Sequence, residues 1–203
     1  MTEFTGADEV RDRLNLIESM VLEGRRGTER WGWAFVLWGV AYYAAIVWSA
    51  AQPSFGWAWP ITVIAALLIM SAIRRARGMG YPWTSSTRSI VAIWIAFGIS
   101  AFVLFCALGM NGLVRDAHVI FAILAAMLGM VNGASGILLR WKAQIACAVV
   151  WWAAAVACCY GDAVVLDTPV AFLVALFLCQ IVFGVYCMML DGRVATAQRQ
   201  SHA

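Results

Sequence analysis

Charged side chains are scarce in this sequence, and their scarcity is the first constraint on the kind of protein it encodes. Only 12% of the 203 residues are Asp, Glu, Lys or Arg, whereas 64% are hydrophobic and the mean hydropathy is +0.82. Soluble domains carry about 25% charged residues. The net charge of +3 is also too small to favour nucleic-acid binding. We therefore predict an all-α integral membrane protein with no nucleic-acid partner.

Residue patterns that carry chemistry are also missing. The sequence contains no glycine-rich phosphate loop, nucleophile elbow or zinc-protease motif. Its six cysteines lie in apolar runs, so a disulfide framework is not expected. His118 is the only histidine beside an apolar run, and one histidine cannot supply both axial ligands of a haem. We predict no enzyme activity, no metal and no cofactor, although 11 tryptophans are compatible with bound lipid or pigment.

Apolar runs near the length that crosses a bilayer dominate the rest of the chain. A spanning helix needs about 20 apolar residues. None of the runs has Asp, Glu, Lys or Arg at an interior position. They predict a bundle of six transmembrane helices at residues 31–51, 57–73, 89–109, 118–139, 143–160 and 170–190.

The arginines and lysines predict the orientation of this bundle. Of 14 such residues, only Arg115 lies in a connection assigned to the outer side. The others lie before the first run, after the last run, or in the second and fourth connections. Because cytoplasmic segments carry the excess of positive charge, we predict that both termini are cytoplasmic. The expected location is a bacterial-type inner membrane, with residues 28–190 forming the membrane domain and 191–203 a cytoplasmic tail.

A separate amphipathic helix is predicted before the first span, within residues 1–27. Its apolar positions recur at spacings of four, three and four. Gly24 and the arginines after it favour the end of this helix. Gly27 is the expected hinge, and Thr28 is the expected cap of the next helix. The apolar face consists of Val10, Leu14, Ile17 and Val21.

This apolar face is predicted to bind something. A partner protein, a second copy of the chain and the anionic membrane surface are all open at this point, as is docking beneath the chain's own bundle. Asp12 and Arg13 make the helix less uniformly basic than a typical membrane-surface helix. This charge pattern favours a protein surface, in a homo-oligomer or a larger membrane complex.

The fourth span contains a ridge of small residues. Such ridges let helices approach closely. Packing within the chain, an oligomer interface and a ligand groove are the three interpretations that the spacing leaves open. The ridge consists of Ala125, Gly129, Gly133 and Gly136.

Polar side chains at membrane depth are few. Ser100, Asn132 and Gln180 fall in the third, fourth and sixth spans. We expect them either to form hydrogen bonds across the bundle or to line a small polar cavity. No ionisable group accompanies them, which disfavours an ion-coupled transporter.

In length and helix count the chain resembles the substrate-capturing subunits of energy-coupling vitamin transporters, and Ala41 and Ala45 have the spacing of small residues in their first helix. This resemblance implies a substrate-binding or permease subunit, which we keep as the alternative function. The function that the composition favours is an accessory, scaffold or oligomer-forming membrane subunit that acts through helix–helix interaction.

Overall fold

A computed structural model describes residues 6–52, 57–78, 85–111, 116–161 and 163–201, and most of them are helical. The first six helices are α1 (Gly6–Arg30), α2 (Gly32–Ala51), α3 (Ala58–Ala76), α4 (Ser85–Asn111), α5 (Ala117–Leu138) and α6 (Lys142–Cys159). A hairpin follows, with β1 (Val164–Val165) and β2 (Thr168–Pro169). The chain ends with α7 (Val170–Leu176), a π-helical segment (Phe177–Val182) and α8 (Phe183–Ser201).

Six helical segments of the described residues are long and apolar enough to cross a bilayer. Five of them lie in α2, α3, α4, α5 and α6. The sixth is Val170–Arg193, which includes α7, the π-helical segment and the start of α8. The predicted helical class and the number of apolar helices are thus confirmed by length and composition.

The hairpin of α5 and α6 forms the centre of the bundle. In its spanning window, 61% of α5 is buried, against 11% of α3 and 6% of α4. Helix α6 packs against α7, and α2 packs against α8 and the π-helical segment. Helix α3 contacts α2, and α4 contacts α5 and α1. Most side chains of α3 and α4 therefore face away from the rest of the molecule.

A Schellman motif joins α5 to α6. The Trp141 amide donates to the Gly136 carbonyl at 2.9 Å, and the Arg140 amide donates to the Ile137 carbonyl at 3.1 Å. Arg140 takes the left-handed conformation that this motif requires, with φ of 48°. These bonds satisfy the last carbonyls of α5 and turn the chain back directly into α6.

Aromatic side chains fill the core in two clusters. Phe172 packs against Phe121 and Trp151, with ring centroids 4.7 Å and 5.4 Å apart. Phe183 packs against Phe35 and Trp141 at 5.3 Å and 5.2 Å. Tilted and edge-to-face pairs of this kind contribute about 0.5–1.5 kcal/mol beyond their buried area. Both clusters join the last span to helices that are distant in sequence.

The junction between α1 and α2 lies later than predicted. Helix α1 continues through Gly24 and Gly27 to Arg30, and the break falls at Trp31, with φ of −93° and ψ of 7°. Thr28 does not cap α2, because its hydroxyl donates to the Gly24 carbonyl at 3.2 Å. Glycine costs a helix about 1 kcal/mol relative to alanine, and here the burial of Gly24 and Thr28 offsets that cost.

The end of the chain is helical. Residues 191–201, which belong to the predicted cytoplasmic tail, extend α8. The expected outer loop contains the hairpin, in which Val165 pairs with Thr168. Leu166 and Asp167 between them have φ of 52° and 55°, as a type I′ turn requires. The turn was not predicted, because neither position carries the usual glycine or asparagine.

Candidate functional site

The second half of α1 is anchored to the bundle by Arg25. The Arg25 Nε donates to the Glu29 carboxylate at 3.1 Å, and its guanidinium carbon lies 5.2 Å from the centroid of the Trp141 ring. The Glu29 side chain is only 9% exposed. Shielding from water strengthens both the charged hydrogen bond and the cation–π contact. Arg25 therefore holds α1 against the turn between α5 and α6.

Two of the cationic residues that predicted the orientation, Arg25 and Arg77, lie at one end of the bundle. The Arg77 guanidinium at the end of α3 lies 5.5 Å from the centroid of the Trp33 ring at the start of α2. Arg25 makes the matching contact with Trp141. The end of α3, the junction of α1 with α2, and the turn between α5 and α6 thus share one end of the molecule.

The first half of α1 is not covered by the rest of the bundle. Every residue from Glu9 to Leu16 is exposed, and Val10 and Leu14 keep 57% and 60% of their surface. Val21 is half-buried. We call the predicted face of Val10, Leu14, Ile17 and Val21 the α1 seam; the side chain of Ile17 lies outside the described residues.

The α1 seam continues into a buried interface. Gly24 and Thr28 extend the same helical stripe by three and then four residues, and both are buried. Helix α1 contacts α8 and α4 along this part. One face of α1 is thus covered by the chain's own helices at its end and uncovered at its beginning. In the part of the chain that the structure describes, the whole seam is therefore not docked beneath the bundle.

The predicted polar residues of the interior are only partly brought together. Asn132 and Gln180 are buried, but Ser100 is exposed on α4. Ser100 was expected to face the bundle interior together with Asn132 and Gln180. It does not, because α4 packs on α5 and α1 through a different side. Asn132 bonds within its own helix, where its Nδ2 donates to the Leu128 carbonyl at 2.9 Å.

Two further buried polar residues were not predicted: Ser135 on α5 and Gln144 on α6, both 0% exposed. Gln144 lies only two residues after Lys142, in the first turn of α6. Its spacing of three, four and seven to Cys147, Ala148 and Trp151, which are also buried, was the available signal.

Contacts between helices place Gln144 close to the level of Gln180. The Cys179 thiol donates to the Cys147 carbonyl at 3.5 Å, and Trp141 packs on Phe183. Gln144 lies between these two contacts on α6, as Gln180 does on the facing segment. A Cβ at Gly136 would lie 3.2 Å from the Gln144 carbonyl carbon, so α5 also comes close here.

We name Asn132, Ser135, Gln144 and Gln180 the polar belt. Several of its buried atoms have no hydrogen-bond partner among the described residues: Asn132 Oδ1, Ser135 Oγ, both amide atoms of Gln144, and Gln180 Oε1. A buried polar atom without a partner costs roughly 1–3 kcal/mol. The belt is thus a set of polar side chains that are at most 2% exposed and whose hydrogen-bonding capacity is not filled among the described residues.

The π-helical segment contains Gln180. It begins after Leu176, and the Tyr43 hydroxyl of α2 donates to the Leu173 carbonyl at 2.8 Å just before it. The Leu173 carbonyl also accepts from the Phe177 amide, so Tyr43 adds a second donor to it. Segments of this type are frequent at functional sites.

The small-residue ridge of α5 lies against α6. The Trp152 indole covers Gly129 and Gly133, leaving no room for a Cβ at Gly129. A Cβ at Gly136 would lie 2.9 Å from the Ile145 amide nitrogen. Ala125, the first residue of the ridge, is 0% exposed. In this structure the three glycines serve the contact within the central hairpin.

A shallow groove between α2 and α3 contains the two alanines on which the family resemblance depends. It is too shallow to enclose a water molecule, and it is lined by Ala41, Ala45, Trp38, Tyr42 and Trp59, among others. The walls are almost entirely apolar. This groove suits an acyl chain or a neighbouring helix better than a polar substrate.

His118 lies beside Cys158 without forming a metal site. The His118 Nδ1 is 3.1 Å from the backbone carbonyl of Cys158, and Asp116 accepts the His118 amide at 2.8 Å as the cap of α5. Among the described residues, no group of three His, Cys, Asp or Glu side chains is placed to hold a metal ion.

Comparison with known proteins finds no family model, curated protein or solved structure that matches this chain.

Proposed function

We propose that this protein is a multi-pass subunit of a bacterial-type inner membrane, with both termini in the cytoplasm, and that it acts as an accessory, scaffold or oligomer-forming protein without catalysing a reaction. The exposure of Val10 and Leu14 on the α1 seam is the observation that carries the proposal. The cationic end of the bundle supports a cytoplasmic position for α1.

Burial of the α1 seam would supply a substantial free energy of association. Burying a valine or leucine side chain contributes about 1.5–3 kcal/mol. Val10 and Leu14 keep more than half of their surface exposed in the chain alone. Because Arg25 fixes the orientation of α1, α1 loses less conformational entropy when a partner binds.

Charges around the seam support a protein as the partner. Arg11 and Arg13 alternate with Asp12, and Glu18 follows one turn further on. A helix that binds an anionic lipid surface concentrates lysine and arginine on its polar face. The mixed charges of α1 instead suit specific pairs with another polypeptide, while the spans contact the membrane lipids.

The alternative function is a substrate-binding or permease subunit that would bind its substrate at the polar belt, whose residues are at most 2% exposed in the chain alone. The belt's unpartnered amide and hydroxyl atoms could form hydrogen bonds with a neutral polar molecule. Charged substrates are disfavoured, because Asn132, Ser135, Gln144 and Gln180 are all uncharged.

The proposal is tested by purifying the full chain in a mild detergent and measuring the masses of its complexes by native mass spectrometry. The variant is Val10→Ser with Leu14→Ser, and the control is Leu16→Ser, since Leu16 is 56% exposed on another side of α1. We expect the seam variant to weaken protein association by about tenfold or more, at about 1.4 kcal/mol per tenfold, and the control to keep it.

Two results would oppose the proposal. Equal association of the wild-type protein and the seam variant would remove α1 from the interaction. A bound small polar molecule without any associated protein, retained in both variants, would favour the alternative function.

A further inference from the structure

We infer that the partner on the α1 seam is a second copy of this chain, and that the two α1 helices pair in parallel as a short coiled coil. This inference rests on the proposed function, since it specifies which protein covers the seam. It depends on two observations: the heptad spacing of the seam and the charges beside it.

The spacing of the seam is that of a coiled coil. Steps of four, three and four assign Val10 and Ile17 to positions d, and Leu14 and Val21 to positions a. The apolar residues at a and d form a strip that fits one facing helix, and the exposed Leu16 and Leu22 lie outside this strip. The next a and d positions, Thr28 and Gly24, are already buried by the chain's own helices.

The flanking charges complement a second copy in parallel pairing. In this geometry a residue at g faces the e residue five positions later on the partner. Arg13 is at g and Glu18 is at e, so two-fold symmetry creates the attractive pair twice. Arg13 also pairs with Glu9 of its own helix at 2.5 Å, and a guanidinium has enough donors for both carboxylates.

The second half of α1 is held at one end of the bundle. Helix α1 contacts α8 and α4, and Arg25 contacts Trp141 in the turn between α5 and α6. A two-fold axis through this end would bring the two seams together, and the g-to-e pair of Arg13 and Glu18 favours the parallel direction.

Attachment to the bundle compensates for the short length of the seam. Two heptads are too few for a stable coiled coil between free peptides, because helices shorter than about 12–15 residues are marginal in water. Here α1 is held as a helix by its packed second half. Confinement of both copies to one membrane would further raise their effective concentration.

Charge reversal in the full chain tests the pairing. We expect Arg13→Glu and Glu18→Arg each to raise the dimer dissociation constant by roughly tenfold, because each places like charges in both symmetric pairs. The double reversal should restore wild-type dimerisation. A mixture of the two single variants should form heterodimers in preference to either homodimer. Energy transfer between fluorophores attached to the two copies, titrated in detergent micelles, measures each constant.

A matched control distinguishes the direction of pairing. Arg11 is at position e, and Gly6 occupies the g position that it faces in a parallel pair, so Arg11→Glu should leave the dissociation constant unchanged. Rescue of Glu18→Arg by Arg11→Glu in place of Arg13→Glu would indicate antiparallel helices and would overturn the inference.

The remaining outcomes separate this inference from the proposed function. If the wild-type protein stays monomeric at every concentration and binds a different protein that the seam variant no longer binds, the inference is overturned and the proposed function is kept. A seam variant that loses no protein association would overturn both. Binding of α1 to anionic vesicles by a monomer with no protein partner would also contradict both.

Discussion

At the scale of single residues, Gly32 and Gly184 allow the closest approach between two helices that are distant in sequence. A Cβ at Gly32 would lie 2.7 Å from the Gly184 carbonyl oxygen, and a Cβ at Gly184 would lie 2.8 Å from the Gly32 carbonyl oxygen. Backbone atoms cannot rotate away as a side chain can. This crossing therefore requires glycine on both sides, and it fixes α8 against the start of α2.

Replacing Gly184 with alanine should destabilise the bundle. The added methyl group would force the two backbones apart, and overpacking of this kind costs about 1–3 kcal/mol. Thermal unfolding in detergent, followed by circular dichroism, measures the change. Gly98→Ala is the matched control, because a Cβ at Gly98 meets nothing within 4 Å. An equal melting temperature for both variants would contradict the proposed close crossing.

At the scale of secondary-structure elements, the last span shows a feature that hydropathy does not encode. The π-helical segment Phe177–Val182 interrupts an otherwise α-helical span. The Tyr43 hydroxyl donates to the Leu173 carbonyl at 2.8 Å at the point where α7 ends. A side chain on α2 thus helps stabilise a change of helix type in another element.

Replacing Tyr43 with phenylalanine should destabilise the protein by about 1 kcal/mol, the net value of a typical hydrogen bond. Tyr42→Phe is the matched control, because the Tyr42 hydroxyl has no hydrogen-bond partner among the described residues. Chemical unfolding in mixed micelles compares the two variants. The role assigned to Tyr43 would be abandoned if Tyr42→Phe proved the more damaging substitution.

At the scale of the whole molecule, the clustered cations connect the fold to a membrane orientation. Arg25 and Arg77 contact Trp141 and Trp33, which lie at helix ends. Tryptophan favours the boundary between lipid and water, and arginine favours the cytoplasmic side. The proposed topology therefore assigns the α1 end of the bundle to the cytoplasm and the hairpin of β1 and β2 to the opposite side.

Reporter fusions test this topology. A reporter that works only in the cytoplasm should be active when it is joined after Gly78 or Arg193 and inactive when it is joined after Gly161. A reporter that works only after export should show the opposite pattern. These sites were chosen because all three residues are exposed. Assignment of Gly78 and Gly161 to the same side would contradict the six-span topology.

Much of the fold was predictable, because hydropathy is a local property of the chain. The boundaries of α2, α5 and α6 agree with the predicted spans to within a residue or two. The candidate site was less predictable. Asn132 and Gln180 were identified by their polarity in apolar runs, but the same argument selected the exposed Ser100 and missed Gln144. Polarity alone does not tell which side of a helix faces the core.

The sequence by itself determined the number of apolar helices, the asymmetric distribution of cations and the apolar spacing of α1, since each follows from the order of residues along one segment. Only the tertiary structure decided that α1 continues to Arg30, that its seam is covered at one end and open at the other, and that Gln144 joins the polar belt. These features depend on which helix lies opposite, and burial against a distant neighbour outweighs local preferences of about 1 kcal/mol per residue.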